Sequence, residues 1–128
     1  MAPSRIDEAK RALAQNVRSV RTAAHRDHGR AAATEICDQL QRARDAGLAI
    51  ERGSIVSAYW PMRDELDTRK LIAGFHEEGV RCALPVMGAK DAPLSFRRWQ
   101  SGDVLEEASF GVAEPNSDQP TLTPDVIL

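Results

Sequence analysis

Residues 54–85 read SIVSAYWPMRDELDTRKLIAGFHEEGVRCALP, and this stretch decides the predicted fold. Residues 54–58 are a short, mostly apolar, β-prone run that leads into a polar loop, Tyr59–Thr68. A helical pattern over 69–78 follows, and then an alternating run predicts a second strand that closes at Pro85. A strand, a helix and a strand fit a right-handed parallel crossover. Ligands collect beyond the carboxyl ends of strands in such sheets, so the loop is the first candidate binding site.

Two helices are predicted before the first strand. The first covers residues 4–24, with Ser4 as its N-cap and one apolar stripe at steps of three and four, formed by Ile6, Ala9, Leu13, Val17, Val20 and Ala24. A polar break is expected at residues 25–29. The second helix covers 30–46, and Gly47 follows it as the residue that ends the helix. We expect these two helices to be antiparallel.

The chain after the crossover is predicted to be mostly loop. Residues 94–99 form a third strand, and residues 101–124 are rich in glycine and proline and are read as loop. Residues 125–128 look like the start of another buried strand. We therefore expect residues 1–128 to be a single domain that is the N-terminal part of a longer one, incomplete at its C-terminal side.

Composition is that of an ordinary folded domain, with 42% apolar and 28% charged residues in 128. No membrane span or signal peptide is evident, and the isolated Cys37 and Cys82 fit reduced thiols, so a cytoplasmic location is expected. Residues 1–52 carry 10 Lys/Arg against 7 Asp/Glu, without blocks of like charge. We read these arginines as solvated helix faces and expect neither a nucleic-acid nor a membrane partner. The oligomeric state is left open.

An ordered set of short motifs spans the chain. The set consists of KRAL at 10–13, YWPMRDELDT at 59–68, GVRCALP at 79–85, LSFRRW at 94–99, FGVAEP at 110–115 and DVI at 125–127. In this order the motifs resemble the N-terminal part of the 5-formyltetrahydrofolate cyclo-ligase family, also called methenyltetrahydrofolate synthetases. The resemblance covers essentially all of the residues. The glycine-rich R-L-G-x-G-x-G segment with which the family continues is not among them.

The resemblance implies a fold and a reaction. The fold is an α/β, three-layer α/β/α sandwich around a mostly parallel sheet. The reaction uses ATP and Mg²⁺ to convert 5-formyltetrahydrofolate, a reduced folate, into 5,10-methenyltetrahydrofolate. Because the glycine-rich segment supplies much of the ATP-phosphate cradle in the family, we expect the 128-residue chain to be weakly active or inactive. A non-catalytic remnant, split or decayed, that binds a folate or a partner chain is the alternative.

The resemblance also assigns an ATP contact. Lys10 matches the family's ATP-contacting lysine, and a fixed ammonium can neutralise phosphoryl oxygens. The family usually carries arginine four residues later, where this chain has Ala14. Arg18, one turn further, is the candidate replacement. Without the resemblance, Lys10 would be read as a solvated surface lysine.

Four loop residues match the family's folate site. Glu65 matches the folate-contacting glutamate, whose carboxylate can accept N–H bonds from the amidine-like edge of a pterin. Tyr59 and Trp60 match the wall of the pterin pocket, and Met62 would fill that wall. The plain alternatives are a helix-supporting carboxylate for Glu65 and core packing for the two aromatics.

Glu114 is a further, weaker site candidate, because the resemblance places the FGVAEP segment near the site; otherwise the segment is a turn. Asp64, Glu65 and Asp67 are adjacent in a turn and are read as solvated, so no protein-only metal site is predicted. No residue is assigned a catalytic role.

Overall fold

The computed structural model describes all residues from Met1 to Leu128. It contains two α-helices, a four-stranded sheet and a two-stranded ribbon. In chain order the elements are α1 (Arg5–Asp45), β1 (Ile55–Ser57), α2 (Arg69–Glu77), β2 (Arg81–Val86), β3 (Ser95–Trp99), β4 (Leu105–Glu107), β5 (Ala113–Pro115) and β6 (Val126–Ile127). A short 3-10 turn, Ser109–Gly111, lies between β4 and β5. No helix is both long enough and apolar enough to cross a membrane.

The sheet has the strand order β3-β2-β1-β6 and is mostly parallel. β1 pairs in parallel with β2 and with β6, whereas β3 is antiparallel to β2. The α/β class, the mostly parallel sheet and the β1–α2–β2 crossover are therefore confirmed. The alternation of side chains along the strands puts Val56, Cys82 and Leu84 on one face. This face carries the core.

Helix α2 packs on that face of the sheet, and α1 packs against α2 and the same core cluster. Leu71, Ile72 and Phe75 of α2 are buried against the sheet, and Cys37 and Leu40 of α1 pack against the same cluster. The hydrophobic burial of these side chains is the main stabilising term of the fold.

The two helices predicted before β1 are one continuous helix of 41 residues. The polar residues 25–29 do not interrupt it, because none of them is a proline and a single glycine costs a helix only about 1 kcal/mol. Gly29 lies against the ring of His25, where a Cβ atom would come within 3.1 Å of Nδ1. The predicted ends of this long helix are confirmed. Ser4 and Asp7 form a capping box, and Gly47 follows the C-cap with φ of 117°.

The N-terminal half of α1 extends away from the core. Ile6, Leu13, Val17 and Val20 of the predicted apolar stripe are each more than half exposed. The first tertiary hydrogen bond along the helix joins the Thr22 hydroxyl to the Asp64 carboxylate.

Three local predictions are corrected. Pro85 lies inside β2, and this is tolerated because the β1 partner ends opposite Ala83, so no ladder bond is lost. The segment read as loop after residue 101 contains the β4–β5 hairpin. The last strand is an edge strand whose Ile127 is 68% exposed, rather than a buried one.

Candidate functional site

A cavity of about 520 Å³ opens at the carboxyl end of β1. Its walls come from three segments that are distant in sequence: the loop after β1, the end of β2, and the tip of the β4–β5 hairpin. The lining residues are Tyr59, Trp60, Pro61, Met62, Arg63, Glu65, Pro85, Gly111, Val112 and Ala113. All four residues predicted to bind substrate, Tyr59, Trp60, Met62 and Glu65, thus lie together. The cavity is where a parallel α/β sheet favours a ligand.

Glu65 is held by a tight turn in the loop. Its backbone N–H donates to the Met62 carbonyl at 3.2 Å, and the Met62 N–H donates to Glu65 Oε2 at 3.0 Å. Arg63, between them, has a left-handed backbone with φ of 55°. The Met62 bond fixes the direction of the carboxylate, and its other lone pairs remain available to accept hydrogen bonds. The geometry therefore presents an oriented acceptor in the cavity wall.

Tyr59 is fixed at both its backbone and its hydroxyl. The phenol donates to the Leu66 carbonyl at 2.8 Å, and the Tyr59 carbonyl accepts from the Thr68 hydroxyl at 2.6 Å. Burial, and then the Glu65 and Asp67 carboxylates, raise the pKa of the phenol above its ordinary value of 10.0. Tyr59 is therefore neutral at physiological pH and contributes a rigid ring to the wall.

Trp60 belongs both to the core and to the cavity. Its ring centroid lies 5.0 Å from that of Trp99, with an angle of 59° between the planes, a tilted aromatic pair. Trp99 is buried in β3, and Trp60 packs against the same core cluster while it lines the cavity. Trp60 therefore contributes to the core and also lines the cavity, and its role in binding a pterin stays a prediction.

The helix after the loop is capped by Asp67 rather than by Thr68. Thr68 occupies the N-cap position, but its hydroxyl makes no cap bond to the helix. The Asp67 carboxylate instead accepts from the Arg69 backbone at 3.0 Å and from the Arg69 guanidinium at 2.7 Å. The Arg69 side chain holds the pKa of Asp67 below its ordinary value. These contacts fix the downstream end of the cavity loop.

The structure does not bring Lys10 to this cavity. Lys10 is exposed on α1, beside a shallow groove formed only by residues of the same helix. Thr22, which contacts the loop through Asp64, lies 12 residues further along α1, which is about 18 Å of helix axis at 1.5 Å per residue. Ala14 and Arg18 lie on the same exposed stretch. Lys10, which the resemblance predicts as an ATP contact, and the cavity are therefore separate within these 128 residues.

A family model matches residues 6–127, and its description is the 5-formyltetrahydrofolate cyclo-ligase family. The chain belongs to this family. A comparison with curated protein sequences gives no significant match.

The fold of this cyclo-ligase family chain is similar to the NMR structure of 5,10-methenyltetrahydrofolate synthetase from Aquifex aeolicus. The TM-score is 0.68 at 22% sequence identity, and the similarity covers 92% of this chain. The chain spans 58% of the length of that structure. At this level of identity the match supports the architecture of the sheet and its helices.

Neither Pro85 nor any residue of the hairpin tip, 111–113, was predicted to bind substrate, yet both line the cavity. Pro85 reaches the cavity through tertiary packing, which no local sequence signal reports. The FGVAEP motif was expected near the site from the resemblance alone, and its Gly111 has φ of 73° in the turn beside the cavity. Glu114, the weaker candidate from this motif, is not in the lining; its carboxylate accepts from the Met87 N–H at 2.9 Å.

The side chains of this chain do not by themselves form a metal-binding site. No group of three His, Cys, Asp or Glu side chains lies close enough together to hold an ion. Mg²⁺ in ATP-dependent enzymes is commonly held by one or two carboxylates together with the phosphates of the nucleotide. The residues of this chain give no basis for assigning a metal ligand.

Proposed function

We propose that this chain provides the folate-binding part of an ATP-dependent 5-formyltetrahydrofolate cyclo-ligase. In that reaction the formyl oxygen is phosphorylated, N10 of the folate attacks the activated carbon, and phosphate leaves to give 5,10-methenyltetrahydrofolate. One observation carries the proposal: Tyr59, Trp60, Met62 and Glu65 line a single cavity at the carboxyl end of β1 in a member of this family.

Glu65 is proposed to anchor the pterin. The edge of the pterin presents adjacent N–H donors, and an ionised carboxylate accepts such donors more strongly than a neutral group does. The Met62 N–H already sets the direction of Oε2, so little side-chain freedom is lost when the ligand binds. Tyr59 and Trp60 would offer flat apolar surface to the ring, and Met62 would adapt to its outline.

ATP and Mg²⁺ enter the proposal through the family. Lys10 is the residue proposed for the phosphates, where its ammonium would offset negative charge. Because the family's glycine-rich phosphate segment is not in this sequence, we expect weak or no turnover from the 128 residues alone. Family membership also leads us to propose that the protein is cytoplasmic and acts in one-carbon metabolism.

A second candidate function is a non-catalytic folate-binding chain. Two observations favour it: Ala14 replaces the arginine typical of the family, and Lys10 lies about 18 Å along α1 from the Thr22 contact to the loop. Such a chain would bind reduced folate without binding ATP.

Calorimetric titrations of the purified chain with 5-formyltetrahydrofolate and with ATP separate these functions. We expect one folate per chain, and a Glu65→Gln variant that binds about ten- to a hundredfold more weakly, as expected for losing a charged hydrogen bond. Glu77→Gln, an exposed glutamate on α2, is the matched control and should bind like the parent chain. Absence of folate binding would contradict both functions; folate binding without ATP binding favours the second.

Turnover is measured by the near-ultraviolet absorbance of methenyltetrahydrofolate. With the family's C-terminal segment supplied in the same polypeptide, we expect product that requires ATP. Absence of ATP-dependent product in a folate-binding protein would reject the enzyme and leave the binding chain.

A further inference from the structure

The β4–β5 hairpin forms one wall of the cavity and packs on the core through Leu105, yet no strand ladder joins it to the main sheet. Its strands pair only with each other, through Leu105–Glu107 and Ala113–Pro115. Val112 and Ala113, at the start of β5, line the cavity opposite the loop that holds Glu65. The position of this wall therefore depends on what joins the hairpin to the rest of the molecule.

One hydrogen bond joins residues 105–115 to the remainder of the chain. Glu114 Oε1 accepts it from the backbone N–H of Met87 at 2.9 Å. Met87 follows the end of β2, two residues after Pro85, which forms another part of the cavity wall. The bond thus ties the hairpin wall directly to the β2 wall.

The surroundings of Glu114 are those of a structural acceptor. The residue is 9% exposed although it carries a carboxylate, and the next residue, Pro115, is fully buried. Glu106 lies directly across the ribbon from Glu114 but is exposed. A carboxylate that is buried beside a like charge is costly unless a donor satisfies it, and the Met87 N–H is such a donor.

We propose that Glu114 is a positioning residue that sets the distance between the hairpin wall and the β2 wall of the cavity. It acts through the Met87 N–H and not by contact with the ligand. Loss of this acceptor would leave the Met87 N–H without its partner and would release residues 111–113 from the cavity. The role in folate affinity rests on the proposed function, whereas the tie itself does not.

The test compares two replacements at Glu114 with one control. Glu114→Met keeps the approximate size but has no comparable acceptor, whereas Glu114→Gln keeps an acceptor for the Met87 N–H. Glu106→Gln changes the exposed partner across the ribbon. Binding of 5-formyltetrahydrofolate is measured by calorimetry, and hydrogen exchange of the Met87 amide is measured by NMR.

We expect Glu114→Met to weaken folate binding by about ten- to a hundredfold, as for the loss of a charged hydrogen bond, and to speed exchange at Met87. Glu114→Gln should recover most of the affinity and protection, and Glu106→Gln should leave both unchanged. Parent-like affinity and exchange in Glu114→Met would overturn the proposal, as would equal losses in Glu106→Gln.

Two further outcomes are also decisive. If the parent chain binds no folate, the proposed function fails. The hydrogen bond between Glu114 and Met87 is still tested by two measurements, hydrogen exchange of the Met87 amide and the chemical shifts of the Val112 and Ala113 amides. If Glu114→Met does not fold, the Gln variant decides. Met87 exchange as fast as that of an unprotected amide in folded Glu114→Gln would overturn the proposal, and parent-like protection would support it.

Discussion

The Thr68 hydroxyl connects the two ends of the cavity loop. It donates to the Tyr59 carbonyl at 2.6 Å, and the residue is 4% exposed. Thr68→Val keeps the shape but leaves the half-buried Tyr59 carbonyl without this donor, so we expect a loss of about 1–2 kcal/mol in the free energy of unfolding. Urea denaturation measures the loss. Thr68→Ser retains the hydroxyl and should lose much less; equal losses for Val and Ser would contradict the account.

Cys82 gives the stability of the fold a pH dependence in the alkaline range. Burial raises the pKa of its thiol from 9.0 to about 11. The thiol of the unfolded chain ionises near pH 9, whereas the thiol of the folded chain ionises only near pH 11. Below pH 9 the thiol is protonated in both states, and the protein has its full stability. We expect the free energy of unfolding to fall between pH 9 and 11. A Cys82→Ala variant should show a smaller fall; identical pH profiles for the two proteins would contradict this assignment.

The residues in the loop were predictable because the sequence places them side by side. Tyr59, Trp60, Met62 and Glu65 fall within seven consecutive positions after a strand, where α/β sheets bind ligands. Pro85 and Ala113 line the same cavity from positions far along the chain, and only the packed structure shows that they do. The individual roles in folate binding stay predictions.

At the scale of elements, α1 shows how a local signal can mislead. His25 to Gly29 reads as a polar break, but helix formation is cooperative, and four of these five residues tolerate a helix interior. Gly29 has a local use, because a Cβ atom at this position would come within 3.1 Å of His25 Nδ1, closer than ordinary van der Waals contact. The helix therefore continues through a position that the sequence marked as an end.

This contact predicts a non-additive pair of substitutions. Gly29→Ala alone should change the free energy of unfolding little, because its gain in helix propensity is offset by crowding against His25. In a His25→Ala background the same change should stabilise the protein by about 1 kcal/mol. A double-mutant cycle by urea denaturation measures the coupling. Equal effects of Gly29→Ala in both backgrounds would contradict the crowding.

The β4–β5 hairpin could not be predicted from its own sequence. Its strands are three residues long, and one contains two glutamates, which strands seldom favour. The strands β1, β2 and β3, in contrast, carry apolar alternation or β-branched residues, and each was located within a few residues of its observed bounds. Burial against α2 explains this difference, because strands that bury one face need apolar side chains at alternate positions.

At the scale of the whole molecule, the fold separates two parts of the proposed activity. The sheet and the hairpin build a cavity around the loop. Lys10, in contrast, lies beside a groove that is lined only by residues of α1. Family membership supports the proposed folate chemistry, and the cavity gives that proposal a definite location. Binding at this location is the central claim.

An NMR titration of the labelled chain with 5-formyltetrahydrofolate tests that claim most directly. We predict saturable amide shifts at Met62, Glu65, Val112 and Ala113, with the amides of Gly29 and Gln39 on α1 unchanged. The shifts should disappear at the same ligand concentration in Glu65→Gln. Shifts confined to α1, or no saturable shifts at any ligand concentration, would contradict the account.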